Sequence, residues 1–299
     1  MARRILCIAF AVLLGWALTG VSMLAAAGQD AAPEPAEAHG KLEQDRKPQE
    51  ASEALALMHR LAAKGMAMGN PIMIRIFKLE SQLEVWMHTG TRFELFAAYP
   101  ICNWSGTLGP KLAEGDKQSP EGLYAIGARQ LHRSGRWRRS LNIGFPNTFD
   151  RTHGRSGSYV LVHGGCTSEG CYAMTDPAMD EIFQLSEAAL GGGQKRIHVH
   201  AFPFRMTADN LAAYAHSEWS VFWWNLKEAY DLFERTRVPP SVSVCNNRYV
   251  VGKDDEDCAA NLSTASATRV QPKRVRRLRK GRHARSRSQG PPAQRRGRG

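Results

Sequence analysis

The chain runs to 299 residues with 43% hydrophobic content, enough for one sizeable core or two small ones. Its formal charge of +12 invites a nucleic-acid reading, yet 13 of the Lys and Arg residues fall between Arg269 and Arg298 among no acids, and without them the charge is −1. A nucleic-acid-binding fold carries its positive stripe on structured elements, so this distribution argues against one.

In chain order, Arg3 and Arg4 precede an apolar run from Ile5 to Leu18, and Ala25-Ala26-Ala27 supplies small residues before Gly28. That layout predicts a cleaved secretory signal peptide over residues 1–27 and an exported, periplasmic protein, with an uncleaved anchor as the rival. Residues 28–49, rich in Ala, Pro, Glu and Lys, read as a linker. Leu55, Leu57, Met58, Leu61 and Met66 then predict an amphipathic packing helix over Ser52 to Met66.

Strands follow. Ile72, Ile74 and Ile76 alternate, as do Leu83, Val85 and Met87, then Phe93, Leu95, Ala97 and Tyr99. Breaks at Glu80-Ser81-Gln82 and Thr89-Gly90-Thr91 suit two consecutive hairpins. A loop rich in Gly and Pro runs from Ser105 to Glu121. Further strands are expected over Gly122 to Ala128, Ser140 to Phe145 and Ser158 to His163. Beyond residue 175, Asp176-Pro177 reads as a helix start, with Asp176 as the cap. Gly191-Gly192-Gly193 ends that helix, and Ile197 to Phe202 reads as a strand. The aromatic stripe of Glu218 to Arg235 (Trp219, Phe222, Trp223, Tyr230, Phe233) reads as a core-packing helix face. Ser241 to Val251 reads as a hairpin turning at Asn246-Asn247. From residue 259 on, the chain reads as a disordered basic tail, either solubilising or attracted to anionic envelope polymers or lipids.

The chemistry gathers between Ser158 and Asp176. An apolar run, Tyr159 to Val162, delivers His163, and a Gly-rich loop from Gly164 leads to Ser168-Glu169-Gly170-Cys171. A thiol nucleophile needs a base, backbone free to approach substrate, and donors for an oxyanion, and this segment supplies all three. Two blander readings stand beside it. His163, Cys166 and Cys171 can be zinc ligands, with His198 or His200 completing the set, although alternate positions on a strand point to opposite faces. The cysteines can also be buried or disulfide-bonded. Export leaves five cysteines outside the signal, an odd number, so one thiol stays free. Cys245 with Cys258 and Cys102 with Cys166 would leave Cys171 free; a Cys166–Cys171 pair would lock it.

Val162-His163-Gly164 with Ser168-x-Gly170-Cys171 resembles the active-site loop of YkuD-type L,D-transpeptidases, and Ser168-x-Gly170-Cys171-Tyr172-Ala173-Met174-Thr175-Asp176 resembles the YafK-like branch of that family. The likeness extends to Arg75-Ile76-Phe77-Lys78, Gly109-Pro110-Lys111, Gly115-Asp116-Lys117-Gln118-Ser119-Pro120-Glu121-Gly122 and Pro203-Phe204-Arg205, covering roughly residues 70 to 250 in order. It implies a mainly β catalytic domain with flanking α-helices over residues 50–258. It implies thioacyl transfer on diaminopimelate-containing peptidoglycan stem peptides, with Cys171 as nucleophile and His163 as acid and base. The amides of Gly170 and Cys171 would hold the oxyanion, and Ser168 and Gly164 would shape the loop. No metal or organic cofactor is implied. Candidate cations for substrate carboxylates are Lys111, Arg155 and Arg205. Glu169 stands where common members carry a second His, which leaves a hydrolase open, including one releasing an outer-membrane lipoprotein from peptidoglycan. A non-catalytic envelope-binding module is the rival of a different class.

Overall fold

Ile72, Ile74 and Ile76 alternate with Met73, Arg75 and Phe77 in β1 (Ile72–Phe77), and every residue of that strand is buried. A strand covered on both faces belongs in the middle of a layered domain. The computed structural model describes residues 51–252, so the expected signal peptide, the linker, Cys258 and the basic tail lie outside the described residues. Residues 51–62 are helical (α1), and the helix ends four residues before the expected Met66. The chain divides into two units between His59 and Arg60, and the described strands all belong to the second.

β1 sits at the centre of a five-stranded sheet with β2 (Gln82–His88), β3 (Phe93–Pro100), β5 (Gly122–Ile126) and β10 (Ile197–Phe202), in the order β3-β2-β1-β10-β5. β1 and β10 run parallel, with Arg75 opposite His200; the other pairs are antiparallel. A second five-stranded sheet has the order β4-β9-β8-β7-β6, from β4 (Asn103–Trp104), β6 (Leu131–His132), β7 (Ser140–Asn142), β8 (Leu161–His163) and β9 (Tyr172–Ala173). Both sheets are mixed; a short helix α2 (Thr148–Thr152) lies between β7 and β8 in the chain, and α4 (Ala208–Ala213) follows β10. Helix α3 (Asp176–Gly191) packs against β1 of the first sheet and against β7 and β8 of the second. The expected mainly β domain with flanking helices therefore takes the form of two mixed sheets with substantial helical cover.

The aromatic stripe packs inward, as its spacing requires. In α5 (Ser220–Thr236), Trp223, Leu226 and Ala229 join Phe77, Leu123 and Phe202 in one cluster, while Phe233 joins Met73, Trp86 and Phe93 in another. Each large side chain so buried contributes about 1.5–3 kcal/mol relative to exposure.

One strand departs from simple alternation. On β3, Phe93, Phe96 and Tyr99 are buried while Leu95 is exposed. Val85 pairs with Ala97 and the next residue, Trp86, pairs with Leu95, so Phe96 is the extra residue of a bulge. A bulge shifts the period-two pattern by one, which is why the expected inward set of Phe93, Leu95, Ala97 and Tyr99 is not the one observed. The hairpin of β11 (Val242–Cys245) and β12 (Arg248–Val251) turns at Asn246-Asn247, both at positive φ, as a two-residue turn of this hand demands.

The Gly- and Pro-rich loop is held by buried polar hubs. Lys78 Nζ donates to the carbonyls of Thr107, Gly109 and Ser119 and to Glu121, and neither member of the Lys78–Glu121 pair is exposed. Glu121 also accepts from the Gly109 amide and the Trp223 indole. Asp116 accepts from the amides of Leu112, Ala113 and Gln118 and pairs with Lys111.

Candidate active site

β8 delivers the imidazole. The strand begins at Leu161 instead of Ser158, because Tyr159 takes φ +52°, which breaks extended backbone. In the parallel pair β8–β9, Val162 stands opposite Tyr172 and His163 opposite Ala173. One step back, Cys171 lies beside Leu161, whose N–H reaches the Cys171 Sγ at 3.4 Å. Leu161 and His163 are two residues apart and share a face. His163 and Cys171 accordingly line one cavity of about 890 Å³, together with Ser140, Tyr159, Ser168 and the segment His132 to Trp137.

His163 is buried and its Nδ1 lies 2.5 Å from the Gly164 carbonyl oxygen. A carbonyl only accepts, so that contact assigns the proton to Nδ1 and leaves the Nε2 lone pair free. The Trp137 indole stacks on the imidazole, with ring centres 4.0 Å apart and planes inclined by 18°. Burial pushes the His163 pKa below the ordinary histidine value; the Gly164 hydrogen bond opposes that shift, the Arg136 charge adds to it and the Asp176 carboxylate opposes it. Burial pushes the Cys171 thiol up, opposed by the Leu161 amide and by the charges of Lys111 and Arg136. Both shifts favour a resting pair of neutral imidazole and thiol.

Hydroxyls fix the loop around Cys171. Ser168 Oγ and Ser119 Oγ both donate to the Cys171 carbonyl, at 2.7 and 2.9 Å, and Ser105 Oγ meets Ser168 Oγ at 3.0 Å. Ser168 thus shapes the loop. The Gly170 N–H donates to Ser105 Oγ at 2.5 Å, so this amide is already engaged, contrary to the expectation that it faces an oxyanion. Gly164 and Gly165 are required by close approach. A Cβ on Gly164 would collide with the Asp176 carboxylate, and one on Gly165 would lie 2.7 Å from the Trp137 ring. Asp176 is the first residue of α3; the cap is Thr175, whose hydroxyl accepts from the Ala178 amide, so the expected Asp176 cap moves by one.

Cys102 and Cys166 form a disulfide with Cα atoms 5.0 Å apart, and Cys171 is a free thiol. The zinc reading loses Cys166 to that bond. Cys245 is also disulfide-bonded; Cys258, the partner expected for it, lies outside the described residues. His198 and His200 sit on β10, in the other sheet from His163.

The three candidate cations separate. Lys111 is buried and does not line the cavity; it donates to the Ala113 carbonyl and pairs with Asp116, and its charge acts on Cys171 from a distance. Arg155 forms a buried pair with Asp150 at 2.9 Å and lies over Phe149 and Phe222. Arg205 pairs with Glu84 at 2.7 Å and lies over Phe77. Neither Arg155 nor Arg205 lines the cavity of Cys171; their motifs build the scaffold. Sequence reasoning passes over Trp137 and Arg136. The available signal is the segment Arg133-Ser134-Gly135-Arg136-Trp137-Arg138-Arg139, an aromatic among clustered cations directly before a strand.

No protein-family model matches the chain. Two curated proteins, both named "Putative L,D-transpeptidase YafK", from Escherichia coli strain K12 and Escherichia coli O157:H7, are each 48% identical to it over 190 residues, 64% of this chain and 77% of the relative. Among solved structures, a mutant form of the helical cell shape determining protein Pgp2 from Campylobacter jejuni aligns with 19% identity and a TM-score of 0.39, over 55% of this chain and 58% of that one. A likeness that distant leaves function to this chain's own residues. The identity to the curated relatives, and the share of their length it spans, do place the sequence: the chain belongs to the YafK-like branch of the YkuD-type L,D-transpeptidase family.

Proposed function

We propose that this chain is an exported cysteine acyltransferase acting on diaminopimelate-containing stem peptides of peptidoglycan, with Cys171 as nucleophile and His163 as acid and base. The observation that carries it is a thiol, the one free cysteine among the described residues, sharing one cavity with an imidazole whose Nδ1 is tied back, leaving Nε2 to take a proton. The Cys102–Cys166 disulfide supports an oxidising compartment.

In the first half of the cycle, His163 Nε2 takes the thiol proton as Sγ attacks the carbonyl carbon at the L-centre of diaminopimelate. The C–N bond breaks, and the leaving amine departs with the proton from His163. The thioester is then opened by an amine, giving a cross-link, or by water, giving hydrolysis; His163 takes the proton from either acceptor and returns one to Sγ. Because the Gly170 amide is held by Ser105, the Cys171 amide is the proposed backbone donor to the oxyanion.

Hydrolysis is the second reading, favoured by Glu169. This exposed carboxylate at the cavity, paired with Lys117 at 3.5 Å, replaces the second His of common family members. In that reading the released group is a D-amino acid or a lipoprotein side chain. Muropeptide mass spectrometry with wild type and Cys171→Ala tests both: new cross-links or lost stem attachments are expected only with the wild type. Identical profiles would overturn the enzyme reading in favour of a non-catalytic envelope-binding module. Incorporation of labelled water or of an added amine into the product separates hydrolase from transferase.

A further inference from the structure

The rim of the cavity is a short basic segment fastened at both ends. Arg133 pairs with Glu187 of α3 at 2.6 Å, and Arg138 and Arg139 both pair with Asp180 of α3, at 2.9 and 3.1 Å. Between these anchors lie Arg136 and Trp137. Trp137 lies flat on His163 and against Gly165, so its position follows from the stack. The Arg136 guanidinium lies 5.3 Å from the Trp137 ring centre, and no carboxylate among the described residues forms an ion pair with it. It lines the same cavity as Cys171 and His163.

Three of the four arginines in this segment are spent on holding the rim in place, and the fourth is presented to the cavity without an acid. A guanidinium offers a planar fork that matches a carboxylate with two parallel N–H donors. The stack on Trp137 limits where that fork can go, which lowers the ordering cost of binding. Lys111, the other cation near the sulfur, is already paired with Asp116.

We propose that Arg136 is a specificity-determining residue that holds a substrate carboxylate next to the carbonyl attacked by Cys171, so that the site prefers acidic substrates to their amides. The inference rests on the proposed active site and names the chemistry that site selects. Two carboxylates of a stem peptide fit: the terminal carboxylate of the leaving residue, and the carboxylate on the D-centre of diaminopimelate.

A test independent of turnover uses two alkylating agents of similar size on the full chain, anionic iodoacetate and neutral iodoacetamide. In each, Sγ forms the new S–C bond, iodide leaves with the C–I electron pair, and the thiol proton passes to water. The ratio of the two rates at Cys171 cancels changes in thiolate fraction and reads the attraction for a carboxylate. Arg136→Ala should lower that ratio on the order of tenfold relative to wild type, Arg136→Lys should recover part of it, and removal of a distant surface charge in Arg92→Ala should leave it unchanged. An equal ratio in wild type and Arg136→Ala overturns the proposal. Stem peptides amidated at one carboxylate or the other then identify the source: the amide that wild type discriminates against, and Arg136→Ala does not, marks the group held. If the ratio responds to Arg136 while no stem peptide turns over, the carboxylate subsite stands and the peptidoglycan reading fails. If stem peptides turn over while the ratio ignores Arg136, the peptidoglycan reading stands and the carboxylate subsite fails.

Discussion

His163 is held by two partners of different kinds. Gly164 fixes its tautomer through a hydrogen bond, and Trp137 covers its face. A positioned acid–base group contributes about 10²–10⁴-fold, so His163→Ala should lower kcat/KM by that range while Cys171 remains open to small alkylating agents. The pH dependence follows from burial. His163 must be neutral to accept the thiol proton, and its pKa is held below the ordinary histidine value, so the acid limb of kcat/KM should lie below about 6.5. Trp137→Ala admits water to the ring and should move that limb upward, toward the ordinary value. A limb that stays where it was in wild type would show that the indole does not set the imidazole's environment.

At the scale of elements, the loop that carries Cys171 is anchored through backbone and through sulfur. The Cys102 amide donates to the Ala173 carbonyl and the Cys166 amide to the Met174 carbonyl, so the disulfide ties the entry of β4 to the loop between β8 and β9. Replacing both Cys102 and Cys166 by Ser should cost roughly 2–5 kcal/mol in denaturant unfolding. It should also slow turnover, because the loop that aims Cys171 loses a tether. The Lys78–Glu121 pair makes a second prediction. Glu121→Ala leaves an ammonium buried without its counter-charge and should cost about 3–5 kcal/mol by the same measurement. Glu121→Gln, whose one carbonyl oxygen can still accept from Gly109 and Lys78 but leaves the Trp223 indole without an acceptor, should cost less. Equal losses in the two variants would mean that packing, not charge, is what Glu121 supplies.

For the whole molecule, the buried histidines tie stability to pH. His200 and His198 on β10 both have pKa values lowered, chiefly by burial, His200 well below the ordinary value, and the charge of Arg75 adds to the His200 shift. A histidine whose folded pKa is depressed contributes stability that is present above its unfolded value, about 6.5, and is lost as pH falls from there toward the folded pKa, because the unfolded chain takes up the proton first. The melting temperature should therefore drop as pH is lowered from 7.5 to 5. His200→Asn should flatten that slope; an unchanged slope would place the acid sensitivity elsewhere.

How much of this was legible in the chain depends on the range of the forces involved. Strand and helix faces repeat over two to four residues, so β1, β2, β10 and α5 are readable from spacing, and His163 and Cys171 are readable from one contiguous loop. Phe96 was not, because a bulge depends on how β2 pairs with β3. Arg155 and Arg205 look from sequence like cations awaiting a substrate, and only the folded neighbours Asp150 and Glu84 show that they are already paired. With residues 1–27 set aside as the expected signal, the odd cysteine count calls for a free thiol, and the bond between Cys102 and Cys166 leaves Cys171 as the free one among the described residues. The sequence alone thus marked the longer elements and singled out His163 and Cys171 as the candidate pair, since both are written in near neighbours along the chain. Which charges are neutralised and which one is left facing the cavity was decided by the tertiary structure, because electrostatic partners meet across tens of residues and only the fold sets their distances.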